Sequence, residues 1–202
     1  MTLTELINEV YIITNRRDLV NETLSAIRSS TLKAHHVDFF YKDIFETGVA
    51  FTENDYNQYI EYRTLVPRWR AVKYIRKYQV GTNPAPGKYG DFFTLKTPEN
   101  TLDDYGLTEP NIYYIAGESI QLRSTTKIQN ALLGCYINPL IGGTNETYSS
   151  WIAIDNPWLI INWAAMYIFR AIGKLDEASM QEKLAAIEVQ LLIQSNVIAE
   201  GY

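Results

Sequence analysis

The run from Trp158 to Ile172 constrains the fold most. It is apolar on almost every side (Trp158, Leu159, Ile160, Ile161, Trp163, Met166, Tyr167, Ile168, Phe169, Ile172), interrupted only by Asn162 and Arg170. Asn156-Pro157 marks its start: Asp155 or Asn156 can cap the free N–H groups, and Pro157 suits a first-turn position where its missing N–H costs nothing. Gly173 supplies the residue with positive φ that ends it. A helix without a polar face must be covered all round, and this one is shorter than the roughly 20 residues of a bilayer span. It reads as the central helix of a soluble domain.

The next segment, Asp176 to Ser195, is different. Met180, Leu184, Ile187, Leu191 and Ile198 fall at steps of four, three, four and seven, with Glu177, Gln181, Glu182, Lys183, Glu188, Gln190 and Gln194 between them. The pattern predicts a cover helix, antiparallel to the first, that turns this seam inward and one face to water. At the other end of the chain, Leu3, Leu6, Ile7, Val10 and Ile13 have helical spacing, with Thr2 or Thr4 as cap. A second helix is expected from Asp18 to His35, with Leu19, Val20, Leu24, Ile27 and Leu32 inward. The amphipathic start carries Glu5 and Glu9, which does not suit a cleaved secretory signal.

After Val37 the texture becomes aromatic and β-prone. Strands are expected over Thr47–Thr52, Tyr56–Leu65, Trp69–Gln79, Phe92–Lys96, Ile112–Ala116, Ser119–Ser124 and Leu132–Ile137, with Gly117-Glu118 as a hairpin turn. Trp69–Tyr78 also fits a helix. Gly81–Gly87 reads as an exposed loop, Thr97–Gly106 as a short helical turn, and Pro139–Tyr148 as a flexible link. The expected architecture is therefore α+β: a helical bundle built from N-terminal and C-terminal helix pairs (residues 1–38 and 150–202) with an inserted antiparallel β-rich module (39–149).

A chain of 202 residues, 47% hydrophobic, can bury a sizeable core. The formal net charge of −5 argues against broad cationic adhesion to DNA or an anionic membrane. The lone cysteine, Cys135, reads as a small buried hydrophobe on a strand, in a chain suited to a reducing cytosol. Motifs for chemistry are scarce: there is no phosphate loop, no G-x-S-x-G, no H-E-x-x-H and no cysteine pair. By recognised spacing no nucleophile, base and orienting group come together, so no catalytic residue, cofactor or metal is expected. His35-His36 point about 100° apart on a helix and are poorly placed to share one ion. Asp103-Asp104 reads as a turn pair. Arg63, Arg68, Arg70, Lys73, Arg76 and Lys77, interleaved with Trp69, Tyr74 and Tyr78, form the one basic and aromatic cluster. It suits phosphate pairing and base stacking, or else a solvated strand face or inter-subunit salt bridges.

Seven stretches carry a resemblance: MTLTELINEVY at 1–11, TNRRDLV at 14–20, TLKAHHVDFFYKD at 31–43, RAVKYIRKY at 70–78, LDDYG at 102–106, YIAG at 114–117 and SSWIA at 149–153, followed by the apolar helix. In this order they resemble the neck adaptor (head-to-tail connector) proteins of tailed bacteriophages, over most of the chain. The resemblance implies a structural virion protein, made in the host cytoplasm. It would form a dodecameric ring beneath the portal protein, extend the channel for double-stranded DNA without sequence specificity, and offer a platform to tail or nozzle proteins. No membrane partner is implied. The surplus of Tyr and Trp suits protein interfaces, and the negative charge suits a wall along which DNA slides. A tail-terminator-like ring protein and a small cytosolic ligand-binding domain are the alternative readings. Past Ser195 the chain is expected to leave the helix seam while Val197, Ile198 and Tyr202 stay apolar. Related adaptors dock this segment on the portal; fold-back onto the chain's own bundle is the competing expectation.

Overall fold

The computed structural model describes residues 1–78, 90–99 and 111–200, with the side chains of 197–200 left aside. The fold is mixed α+β and divides into two units. One is discontinuous, Met1–Asp43 with Asn138–Tyr202; the other is Ile44–Ile137.

The discontinuous unit holds the long helices. Helix α1 (Leu3–Thr14) opens with a capping box: Thr2 accepts from the Glu5 N–H while the Glu5 carboxylate accepts from the Thr2 N–H. Asn15, with φ of 54°, ends it in the left-handed conformation that Asn tolerates. Helix α2 (Val20–His35) buries Thr23, Ala26, Ile27, Ser30, Thr31 and Ala34. This corrects the expected inward set: Val20 is exposed, and small and hydroxyl side chains do much of the packing. Thr31 can sit inside because its hydroxyl donates to the Ile27 carbonyl and also meets the Tyr148 hydroxyl, both at 2.8 Å. Where Pro139–Tyr148 is expected as a flexible link, the chain instead forms a small hairpin of β6 (Leu140–Ile141) and β7 (Tyr148–Ser149). The hairpin closes so tightly that a Cβ on Gly142 would lie 1.9 Å from the Thr147 hydroxyl.

Helix α4 (Ile152–Asp155) leads into the apolar helix α5 (Pro157–Ala171), which packs against α1, α2 and α6 (Leu175–Glu200). Trp163 and Phe169 are in its core, as expected, but Trp158 is 48% exposed. The Asn156 side chain makes no cap; its Nδ2 donates across to the Glu188 carbonyl at 3.3 Å, tying the start of α5 to α6. Gly173, with φ of 78°, makes the turn between these helices.

Helix α6 overturns the expected seam. Ala178, Ala185, Leu192 and Asn196 are its buried residues, whereas Met180, Leu184, Ile187 and Leu191 are exposed. Two seven-residue patterns run along this helix. Next to a partner as bulky as α5, close helix approach selects the alanine face rather than the leucine face. The helix also does not stop at Ser195; it runs to Glu200. No described helix is long and apolar enough to cross a membrane.

The second unit is organised on one long strand, β5 (Ser119–Ile137). β1 (Ile44–Ile60) pairs along one side of it with bulges near Asp55. On the other side, β4 (Asn111–Ala116) takes the first half and β2 (Trp69–Lys77) the second. The expected strands 47–52 and 56–65 are one element up to Ile60, and 119–124 and 132–137 are also one. The polar stretch Glu53–Asp55 is absorbed as a bulge rather than a turn. Tyr62–Leu65, expected as strand, is a helical turn, α3. Trp69–Lys77 is strand, not helix. β3 (Thr94–Leu95) runs parallel to β4, so the sheet is mixed, not antiparallel throughout. Ile60, Ile75, Ile120, Leu122, Ile128 and Leu133 fill its core. The expected loop 81–87 and the Asp103-Asp104 turn lie outside the described residues.

Candidate functional site

The basic and aromatic cluster lies on and beside β2, and the structure breaks it up. Arg68 and Lys73 are exposed, whereas Arg70, Arg76 and Lys77 are half-buried. Lys77 shares a face with buried Ile75, and its ammonium donates to the hydroxyls of Ser124 and Thr126. Desolvation there holds its pKa below the usual lysine range. The Arg76 guanidinium lies 4.9 Å from the Phe92 ring centroid, and the Lys73 ammonium 5.7 Å from that of Tyr136. Arg76 and Lys77 are successive residues of the strand and so point to opposite faces, and a bulge at Val72–Tyr74 interrupts the alternation before them. Tyr74 lies over Gly134 of β5, where a Cβ would be 2.6 Å from the ring.

Cys135 lies buried on β5, and burial pushes its thiol up to about 11. Of the expected docking residues, Val197 and Ile198 fall on the last turns of α6, with side chains outside the described set, and Tyr202 lies beyond the described residues.

The sequence reading missed a constellation in the discontinuous unit. His35, the last residue of α2, places Nδ1 2.8 Å from Asp43 Oδ1 and Nε2 2.9 Å from Ser150 Oγ. Trp151 Nε1 donates to the same Asp43 oxygen at 2.7 Å, and the Ala153 N–H donates to Ser150 Oγ at 3.3 Å. The carboxylate only accepts, so Nδ1 donates to Asp43, and Nε2 shares the second bond with the Ser150 hydroxyl. The three side chains meet although no recognised spacing links them. Nothing in the sequence flagged it, because the partners are 8 and 115 residues from His35.

The order serine, histidine, aspartate is that of a hydrolytic triad, but the surroundings are those of a core. None of the three residues is more than 5% exposed, and Ser150 Oγ already accepts from the first turn of α4. Two grooves among the described residues of this unit, one between α2 and α5 and one beside Trp158, are not lined by His35 or Ser150. The network joins the end of α2, the turn Tyr41–Asp43 and the entry to α4. His36, beside it, bonds Asn138 Oδ1 at 2.8 Å. Among the described residues no group of three His, Cys, Asp or Glu is placed to hold a metal ion.

Comparison with protein-family models and with curated proteins gives no match.

Proposed function

We propose that this chain is a structural virion protein, a phage head-to-tail adaptor that assembles as a ring beneath the portal, extends the DNA channel and offers a platform to the tail. In this reading the helices of both chain ends act as one bundle and the sheet unit is the insert. Neighbouring copies, the portal and tail proteins are its partners, and DNA passes without sequence-specific contact. The protein catalyses nothing and needs no cofactor.

The observation that carries the reading is the amount of large apolar surface left in water by a well-packed chain. Tyr56, Tyr59, Phe92, Leu95 and Ile115 on the sheet unit, and Trp158, Met180, Ile187 and Leu191 on the helical one, are all exposed. Exposed aromatic and aliphatic groups in this number suit a subunit whose surfaces are completed by other chains. The even balance of the sheet unit, with ten Lys and Arg against ten Asp and Glu, suits a wall that does not grip nucleic acid. Electron microscopy of portal-bearing heads mixed with the purified chain tests it. A dodecameric ring beneath the portal is expected. A hexameric ring at a tail end, or a chain that never joins the heads, overturns it.

A further inference from the structure

Two faces of α6 compete for the description of this helix, and only one is used. Inward lie Ala178, Ala185 and Leu192, seven residues apart, against α5. Outward lie Met180, Leu184, Ile187 and Leu191, between 38 and 61% exposed, on steps of four, three and four. The helix thus turns two alanines and a single leucine to its neighbour and four large side chains to water, the reverse of a helix with one partner. Residues three and four apart are neighbours on a helix surface, so the four side chains form a continuous ridge. A ridge of two positions in seven is the narrow seam that another helix fills by inserting its own side chains between them. At its C-terminal end Leu191 joins Trp158, Tyr41 and Trp151 around a groove of about 580 Å³.

Charge decides what sort of helix belongs there. The discontinuous unit holds thirteen Asp and Glu against eight Lys and Arg, which accounts for all of the chain's net charge of −5. Asp176 and Glu188 flank the ridge, with Glu177 already paired to Lys174 at 3.4 Å, against Lys183 alone among the cations of α6. A second copy would bring the same acidic unit against itself, whereas a basic helix gains from every flanking carboxylate. We propose that the outward ridge of α6 is a docking site for an amphipathic helix of a different protein, with an apolar heptad seam bordered by Lys and Arg. The proposal stands apart from the ring reading, since it concerns one chain and one partner helix.

The probes are two labelled synthetic helices of about three heptads, both with Leu and Ile at the seam positions, one bordered by Lys and the other by Glu. Fluorescence anisotropy with the full chain reads binding. The Lys helix is expected to bind about tenfold or more tighter than the Glu helix, with a preference that shrinks as salt rises. Leu184→Asp with Ile187→Asp abolishes this binding. Glu188→Lys weakens it while leaving the ridge intact. Ile12→Asp, at an exposed apolar position on α1, changes nothing. Circular dichroism confirms that each variant keeps its helix content. Equal binding of both helices, or unchanged binding by the double variant, overturns the proposal. So does sedimentation of the chain alone as an oligomer that Ile187→Asp dissociates, which would give the ridge to a second copy.

Discussion

Asp43 is the residue on which most polar bookkeeping converges, since its Oδ1 receives both the His35 and the Trp151 N–H. Asp43→Ala takes the acceptor from one buried and one part-buried donor, and at about 1–3 kcal/mol for a buried group the expected loss is about 2–4 kcal/mol, read by urea denaturation. Ser150→Ala is expected to cost about 1–3 kcal/mol, because it removes the partner of His35 Nε2 and of the Ala153 N–H. Ser150 should also stay unmodified by a fluorophosphonate probe under native conditions; labelling found by mass spectrometry would refute the non-catalytic reading. Tyr148 gives a pH prediction. Burial raises its phenol from 10.0 to about 12, the hydrogen bond with Thr31 pulling weakly the other way. The folded pKa is above the unfolded one, so stability is intact below pH 10 and falls as pH climbs toward 12, where only the unfolded phenol ionises. Tyr148→Phe should flatten that alkaline limb in melts recorded across the window. At this scale the sequence was a fair guide to single buried apolar groups, such as Cys135, Trp163 and Phe169. It was blind to the His35 network, because a hydrogen-bonded trio drawn from three segments has no period and no motif.

Elements were legible where a local signal is strong. The α1 cap, Thr2 of the two threonines on offer, the Pro157 start, the Gly173 stop and the Gly117-Glu118 turn all fall where their chemistry places them. The failures share one cause: the choice belonged to a neighbour rather than to the segment. Transfer free energy ranks Leu, Ile and Met above Ala, so the reading sent the wrong stripe of α6 inward, although packing against bulky α5 favours the alanines. Likewise β5 is continuous because β1, β2 and β4 all pair with it, and no residue between Thr125 and Ala131 announces that alone. Two substitutions test the packing. Phe169→Ala should cost about 3–5 kcal/mol, whereas an exposed ridge change such as Met180→Ala should stay within about 0.5 kcal/mol in the isolated chain. In the sheet, Gly134→Ala drives a methyl into the Tyr74 ring and should cost about 1–3 kcal/mol, with Tyr74→Ala in the same chain relieving the clash. Urea melts of the two single variants and the pair measure the coupling.

For the whole molecule, the two units carry different electrostatic characters, and the end of α6 lies on the acidic one. Two expectations for that end competed: portal docking of a segment that leaves the helix seam after Ser195, and fold-back of Ile198 and Tyr202 onto the chain's own bundle. The helix continues to Glu200. Asn196 is the last side chain with a described anchor: it is buried, and its Nδ2 donates to Asp38 at 3.3 Å. The informative truncation therefore begins after Asn196, because a deletion that includes it confounds a lost anchor with a lost docking segment. Removal of residues 197–202 is expected to leave the thermal midpoint within the few degrees that about 0.5 kcal/mol produces in a domain of this size. In the adaptor reading the same truncation abolishes attachment to portal-bearing heads, scored by co-sedimentation. A truncated chain that melts early supports fold-back. One that melts normally and attaches normally removes the C-terminal residues from the docking surface and leaves the outward ridge of α6 as the place to look.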